Sequence, residues 1–187
     1  MRILVINLNL FFMKKLVLFF LVVGAFGYAQ KFSGLDKSPM DQAKYPVSNR
    51  ITDKVAVITY SRPQLKGRSF EDIVPQDKVW RTGANEATEI RLFSAIQIDG
   101  KTVPAGTYSI FTIVGEKSVT FILNSDTNVW GAYAYNSKND VLRVNVPRAH
   151  DEESLEAFSF AFSDQGGRPK IHMGWGNVRF DIPFTVQ

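Results

Sequence analysis

The sequence predicts an all-β chain, an antiparallel β-sandwich or jelly roll of about eight or nine strands with at most one short helix. Three observations predict it. From Val55 onward, apolar residues recur at every second position rather than at helical spacing. The runs that carry this alternation are rich in β-branched and aromatic residues. Turn signals such as Asp99-Gly100, Gly115-Glu116-Lys117 and Gln165-Gly166-Gly167 separate them at short intervals, as hairpin connections do.

Taken in order, VAVITYS (55–61) is the first β-branched run. In TEIRLFSAIQI (88–98), Ile90, Leu92, Ile96 and Ile98 share one face, and Glu89, Arg91 and Gln97 the other. Asp99-Gly100 predicts a type I′ hairpin joining IQI to KTV. Pro104-Ala105-Gly106 predicts a second tight turn, with Pro presetting φ and Gly accepting φ > 0. TYSIFTIV (107–114) and SVTFILN (118–124) follow, then VLRVNV (141–146). AFSFAFS (157–163) sets Phe158, Phe160 and Phe162 on one face, the strongest alternation in the chain. IHMGW (171–175) and VRFDIPF (178–184) complete the set, with Trp175 reading as core between two close backbone approaches at Gly174 and Gly176. Only DEESLEAF (151–158) carries a helical pattern, one or two turns long at most. No internal repeat or domain boundary interrupts 51–187, which reads as a single β-sandwich domain after a mobile leader at 30–50.

The N-terminus has a different grammar. Lys14-Lys15 precede LVLFFLVVGAFGYA, an apolar run from Leu16 to Ala29 that ends in Gly27-Tyr28-Ala29. A basic start, an apolar middle and small residues at the exit predict a secretory signal peptide over 1–29, cleaved before Gln30. The run is shorter than the ~20 apolar residues of a membrane span, and no basic stop-transfer cluster follows. No stable membrane span is expected after cleavage. Met13, in the context MKK, is an alternative start. The expected location is secreted or periplasmic.

Residues 1–29 hold Arg2, Lys14 and Lys15 and no acid, so 22 − 3 leaves 19 basic residues against 18 acidic in the mature chain. Near-neutrality removes the global electrostatic support that nucleic-acid binding needs. The absence of cysteine excludes disulfides, thiol catalysis, cysteine-ligated zinc and a lipidated N-terminal cysteine. The 158 residues left after cleavage (187 − 29) suffice for one core. His150 and His172 are the only histidines, without HExxH or carboxylates at ligand spacing, so neither a metal site nor a cofactor is expected. No G-x-S-x-G elbow, phosphate loop or familiar Ser/His/Asp spacing occurs. A glycosidase needs only two suitably spaced carboxylates, for which Glu86, Asp77, Asp72 and Glu71 are the nearest candidates.

Three stretches carry candidate binding residues. In SRPQLKGR, Arg62, Lys66 and Arg68 flank a Pro and a Gly on a tight loop; together they could hold an anion, or simply be a solvated loop. In KVWRTGANEATEI, Trp80 would plug the core edge, Gly83 would permit a bend and Asn85 would cap or take the left-handed region. Arg81 and Glu86 would then pair as a structural clasp, or Arg81, Asn85 and Glu86 would line a pocket for a polar ligand. In WGAYAY, Trp130 and Tyr133 could stack on a sugar or partner, or form the rim of the core.

The succession YSRPQLKGR, VPQDKVWRTGANEATEI, PAGTYSIFTI, WGAYAY and DVLRVNV resembles the exported bacterial family called domain of unknown function 2911, over residues 38–184. The resemblance implies a secreted or periplasmic single domain and carries no catalytic residues across. Arg62, Lys66, Arg68, Trp80, Arg81, Asn85, Glu86 and Tyr108 are where it is most evident. The expectation is a non-enzymatic envelope protein binding a small polar or glycan ligand, or a cell-surface partner. Its alternatives are a hydrolase of envelope glycans with Glu86 as general acid or base, and a purely structural module.

Overall fold

Alternation becomes architecture in the computed structural model, which describes residues 30–187; the signal peptide expected over 1–29 lies outside the described residues. The chain from Asp36 to Gln187 forms one compact unit. Its strands are β1 (Met40–Tyr45), β2 (Ala56–Ser61), β3 (Val79–Trp80), β4 (Thr88–Leu92), β5 (Ile96–Ile98), β6 (Lys101–Val103), β7 (Gly106–Val114), β8 (Ser118–Asn124), β9 (Asp140–Pro147), β10 (Ala149–Asp164), β11 (Pro169–Pro183) and β12 (Thr185–Val186). All named strand pairs are antiparallel. The main sheet runs β1-β2-β4-β7-β8-β9, and β3 extends β4's edge of β7 by pairing Val79 with Ile113 and Trp80 with Thr112.

Opposite this sheet lies the β10–β11 hairpin. Phe158, Phe160 and Phe162 from β10 meet Ile171, Met173 and Trp175 from β11, all buried, against Ile58, Tyr60, Ile90, Leu92 and Ile110 of the main sheet. Tyr60 joins the layers twice, edge-on to Phe160 at 5.2 Å and through its hydroxyl to the Phe160 carbonyl at 3.3 Å. β11 doubles back on itself: Phe184 N–H donates to Pro169 O at 3.0 Å, with the bend at Gly176, whose φ of 54° suits glycine. A Cβ at Gly174 would meet Leu155 Cδ1 at 2.8 Å, so that side chain would have to shift. Trp175 between them is fully buried.

β7 and β8 are apolar on both faces because both are covered. Their second face packs Ala87, Phe111 and Ile122 under Val129, Ala132 and Tyr135 of the connection to β9. A strand buried on two sides reads as a continuous apolar run, as SIFTIV and FIL do.

Three local expectations change. The helix expected over 151–158 is strand, part of β10; among the described residues the only helical element is a 3-10 turn at Ser137–Asn139. The 88–98 run is two strands in different sheets, since β5 leaves β4 to pair β6 and β12. The leader expected over 30–50 contains β1, paired with β2 from Met40↔Ser61 to Tyr45↔Ala56. The type I′ hairpin forms with positive φ at Asp99 (49°) and Gly100 (74°). Gly106, by contrast, is not in the left-handed region; it leaves room for the Tyr108 ring, whose Oη would lie 3.0 Å from an added Cβ.

Candidate functional site

The turn between β3 and β4 is built on strain and buried hydroxyls. Thr82 has φ 55° and Asn85 φ 60°, and a β-branched residue in the left-handed region is costly, of order 1–3 kcal/mol. The fully buried Thr82 is held there by Oγ1 contacts to Trp80 O at 3.3 Å and Thr112 Oγ1 at 3.1 Å. Thr88 Oγ1 donates to Thr82 O at 2.6 Å, and Thr88 N–H to Arg81 O at 3.1 Å. Gly83 passes so close to β2 that a Cβ would sit 3.2 Å from Ser61 O.

This geometry separates the pair expected to clasp. Among the described residues Arg81 and Glu86 share no ion pair or hydrogen bond. Beyond Asn85 the chain turns into a short ladder with the connection after β8: Gly131 N–H donates to Asn85 O at 3.0 Å, and Ala87 N–H to Val129 O at 2.9 Å. Glu86 therefore lies opposite Trp130, exposed. Asn85 turns to Asp36, its Nδ2 donating at 3.1 Å. The Asp36 carboxyl is held below its ordinary pKa, first by Ser38 N–H and then by this amide.

Arg81 is left with a guanidinium whose Nε is buried and has no partner among the described residues. It lines a cleft of about 320 Å³ with Trp80, Gly83 and Ala84 from its own turn, Pro63, Ile73 and Pro75 from the β2–β3 connection, and Tyr133. Of the side chains that line the cleft, those of Arg81, Tyr133 and Trp80 carry polar groups: the guanidinium, the phenol hydroxyl and the indole N–H. Tyr133 is 86% exposed and Trp130 61% exposed, so neither closes the core. The third aromatic of that stretch does: Tyr135 packs edge-on to Phe111 at 5.0 Å and donates to Asp140 Oδ2 at 2.6 Å.

The three cations of the basic loop have separate surroundings. Arg62 spends its guanidinium on Phe158 O (3.1 Å), Ser159 Oγ (2.8 Å) and Asp41 Oδ2 (2.9 Å), tying β10 to the β1–β2 edge. Arg68 folds onto its own loop, to Leu65 O at 2.9 Å and Gln64 O at 3.0 Å. Lys66, at φ 52°, is pinned through its main-chain N–H to Glu156 Oε1 at 2.8 Å, and its ammonium points to no partner among the described residues. So Arg81 and Tyr133 come together, whereas Arg62, Lys66, Arg68, Asn85, Glu86 and Trp130 do not join them in the cleft. Among the described residues no group of three or more His, Asp or Glu is placed to hold a metal ion.

Sequence reasoning missed two things. The apolar walls at Pro63, Ile73 and Pro75 come from a segment without periodicity. On the outer face of the second layer, Ser163, His172 and Asp181 form a row: Ser163 Oγ lies 2.6 Å from His172 Nε2, and His172 Nδ1 2.7 Å from Asp181 Oδ1. The signal available was register. Once the turn at 165–168 is placed, Ser163 falls diagonal to His172; Asp181 is reached only because β11 doubles back.

No curated protein and no solved structure matches the chain. A family model does, over residues 38–184, covering β1 to the end of β11 and including the Arg81 turn, the basic loop and the Trp130–Tyr133 connection. Among the described residues no helix is long and apolar enough to cross a membrane. With most of its length matched by that model, the chain belongs to the family described as protein of unknown function (DUF2911).

Proposed function

We propose that this chain is an exported binding module whose Arg81–Tyr133 cleft takes a small polar ligand, a carboxylate-bearing or glycan residue, at the cell envelope. The observation that supports it is the buried Arg81 Nε without a partner. A buried donor left unsatisfied costs roughly 1–3 kcal/mol, and no group among the described residues relieves it. A guanidinium offers a planar fork suited to a carboxylate, and Trp80, Ile73 and Tyr133 offer apolar surface for the body of the ligand. Thr82, strained and locked by two threonine hydroxyls, fixes the backbone that presents Arg81. Small apolar-walled pockets with one fixed polar group are usual ligand sites. The export half of the proposal rests on the leader sequence that ends at Ala29. Exposed Trp130 and Tyr133 add stacking surface suited to a glycan chain or a surface partner.

The test is titration of the purified protein with glucuronate, acetate and neutral glucose, followed by NMR. Glucuronate should shift the Trp80 indole and Tyr133 ring resonances more than glucose does. Arg81→Ala should weaken it roughly 10–100-fold, the equivalent of one charge-assisted hydrogen bond. Absence of any shift at Trp80 and Tyr133 with all three probes would sink the reading.

One observation favours the hydrolase alternative. Glu86 and Glu89 line the same cleft of about 240 Å³, beside Tyr60, Ser61 and Asn128. Glu89 Oε1 is engaged by Asn128 N–H at 2.6 Å, leaving Glu86 as the acid or base. Glu86→Gln should then abolish hydrolysis of an envelope glycan while leaving its binding intact.

A further inference from the structure

The row on the second layer has the connectivity of a nucleophile, a base and an orienting carboxylate. Along β10 and β11 the side chains alternate: Phe160, Phe162, Ile171, Met173, Phe180 and Ile182 face the core. The intervening positions, among them Ser163, His172 and Asp181, face outward. Three neighbouring strand segments thus supply one lateral row: Ser163 from the end of β10, His172 from the first half of β11 and Asp181 from its returning half. Ser163 Oγ to His172 Nε2 is 2.6 Å, and His172 Nδ1 to Asp181 Oδ1 is 2.7 Å. Lys170 Nζ bonds the other Asp181 oxygen at 3.2 Å and so holds the carboxylate in place. With Asp181 ionised, Nδ1 carries the proton donated to it, and Nε2 is the acceptor that faces the serine hydroxyl.

Nucleophilic serine catalysis needs that same order: a hydroxyl bonded to a base whose far nitrogen is oriented by a carboxylate. It recurs on unrelated folds and is recognised by geometry and role rather than by sequence position. The row is only partly covered, with His172 33% and Asp181 43% exposed, so a reactant can reach it from solvent. The turn directly after Ser163, Gln165–Arg168, is exposed; Gly166 (φ 64°) and Gly167 (φ 72°) have open space around them, and Arg168 adds a cation.

We propose that Ser163, His172 and Asp181 form an acyl-transfer site that hydrolyses short-chain carboxylic esters. Ser163 Oγ attacks the ester carbonyl carbon while its proton passes to His172 Nε2. The tetrahedral intermediate expels the alcohol, which takes that proton, leaving an acyl group on Ser163. Water, deprotonated by His172, attacks the acyl carbon, and the carboxylic acid and free serine are restored. The row lies half-exposed on a sheet face, so the fitting substrates carry a small acyl group, such as acetyl, on an alcohol that extends away from the sheet.

The competing role is mechanical, a polar row bolting three strands together, and the test must separate the two. The purified protein is treated with a fluorophosphonate probe and the adduct mapped by mass spectrometry; 4-nitrophenyl acetate hydrolysis is followed in parallel. The expected result is one adduct, on Ser163, and turnover that is lost in Ser163→Ala. Asp181→Asn should cut both rates at least ~100-fold through the wrong imidazole tautomer, and His172→Ala should abolish them. Circular dichroism and melting of each variant show whether it is folded. Wild-type protein without a Ser163 adduct, or with a labelling rate that a folded His172→Ala variant retains, would overturn the proposal.

Discussion

The indoles of Trp80 and Trp175 lie stacked across the two layers, ring centroids 6.1 Å apart and planes 11° from parallel. Trp80 ends β3, one residue before the strained turn that presents Arg81. Trp175 precedes the bend at which β11 returns toward His172. Phe158 stands edge-on to both rings, at 5.4 Å and 5.8 Å. The same aromatic cluster therefore joins the residue that precedes Arg81 to β10 and β11, the strands that carry the Ser163–His172–Asp181 row.

Truncating Trp80 should be among the most damaging single changes. It is buried, and large aromatic-to-alanine substitutions in cores cost ~3–5 kcal/mol. For a domain of this size each kcal/mol shifts the melting temperature by ~2–4 °C, so Trp80→Ala should melt on the order of 10 °C below wild type. Differential scanning calorimetry of the two proteins measures this directly.

Arg81 and Glu86 should behave in the opposite way. Because they form no pair, neither leaves an uncompensated buried charge when the other is removed. Glu86 is exposed, and surface substitutions away from special features stay within about 0.5 kcal/mol. Arg81→Met keeps the apolar stem and deletes an unsatisfied donor, so it should be neutral or slightly stabilising. Melting temperatures of Arg81→Met and Glu86→Ala within ~2 °C of wild type are expected. A drop of 10 °C in both would restore the clasp.

Arg62 is the basic residue that stability should feel. Its guanidinium bonds Phe158 O, Ser159 Oγ and Asp41 Oδ2, and two of those acceptors lie on β10. Its side chain is 34% exposed, so the Asp41 pair adds little and the contacts to β10 matter more. Arg62→Ala should cost ~1.5–3 kcal/mol. Arg62→Lys should recover only part, since an ammonium cannot reproduce the fork. Urea unfolding midpoints of the three proteins would check the order.

The parts of this fold that a sequence can display are those whose geometry is local. Phe158, Phe160 and Phe162 announce a strand because one face of β10 is wholly buried. Asp99-Gly100 announces its hairpin because few other residues accept two positive φ values in succession. β1 announces nothing: as an edge strand it turns only Ala43 and Tyr45 inward, so its pattern reads as a polar leader. DEESLEAF reads as a helix because its acidic residues are outward on a strand at the molecular surface, where no apolar alternation is needed. At the site, Arg81 and Glu86 are five residues apart and oppositely charged, yet Asn85 in the left-handed region sends Glu86 along the strand facing Trp130. Trp80, Arg81 and Tyr133 meet through the pairing of residues 85–87 with 129–131, and Ser163 meets His172 and Asp181 through the return of β11 at Gly176. Both are long-range registers, which no local spacing encodes.

The alkaline limb of stability should depend on Tyr135. Burial and then its hydrogen bond to Asp140 push the phenol up from 10 to about 12. Arg143, bonded to both groups at 2.8 Å, works against the shift without cancelling it. In the unfolded chain the phenol loses its proton near pH 10, whereas the folded chain retains it to about 12. Between these values the native state binds more protons than the unfolded state, so stability falls as pH rises. The contribution is fully present below pH 10 and is lost as pH climbs through the folded value. Tyr45, Tyr60 and Tyr108 are shifted in the same sense by burial, so the wild-type protein should lose stability through several groups in this window. Tyr135→Phe removes one of them and also deprives Asp140 of a donor, so it should be less stable than wild type at pH 8 and show a shallower decline above pH 10. Urea midpoints at pH 8, 10 and 11 decide it: parallel declines in the two proteins would mean that the Tyr135–Asp140 bond does not hold the proton.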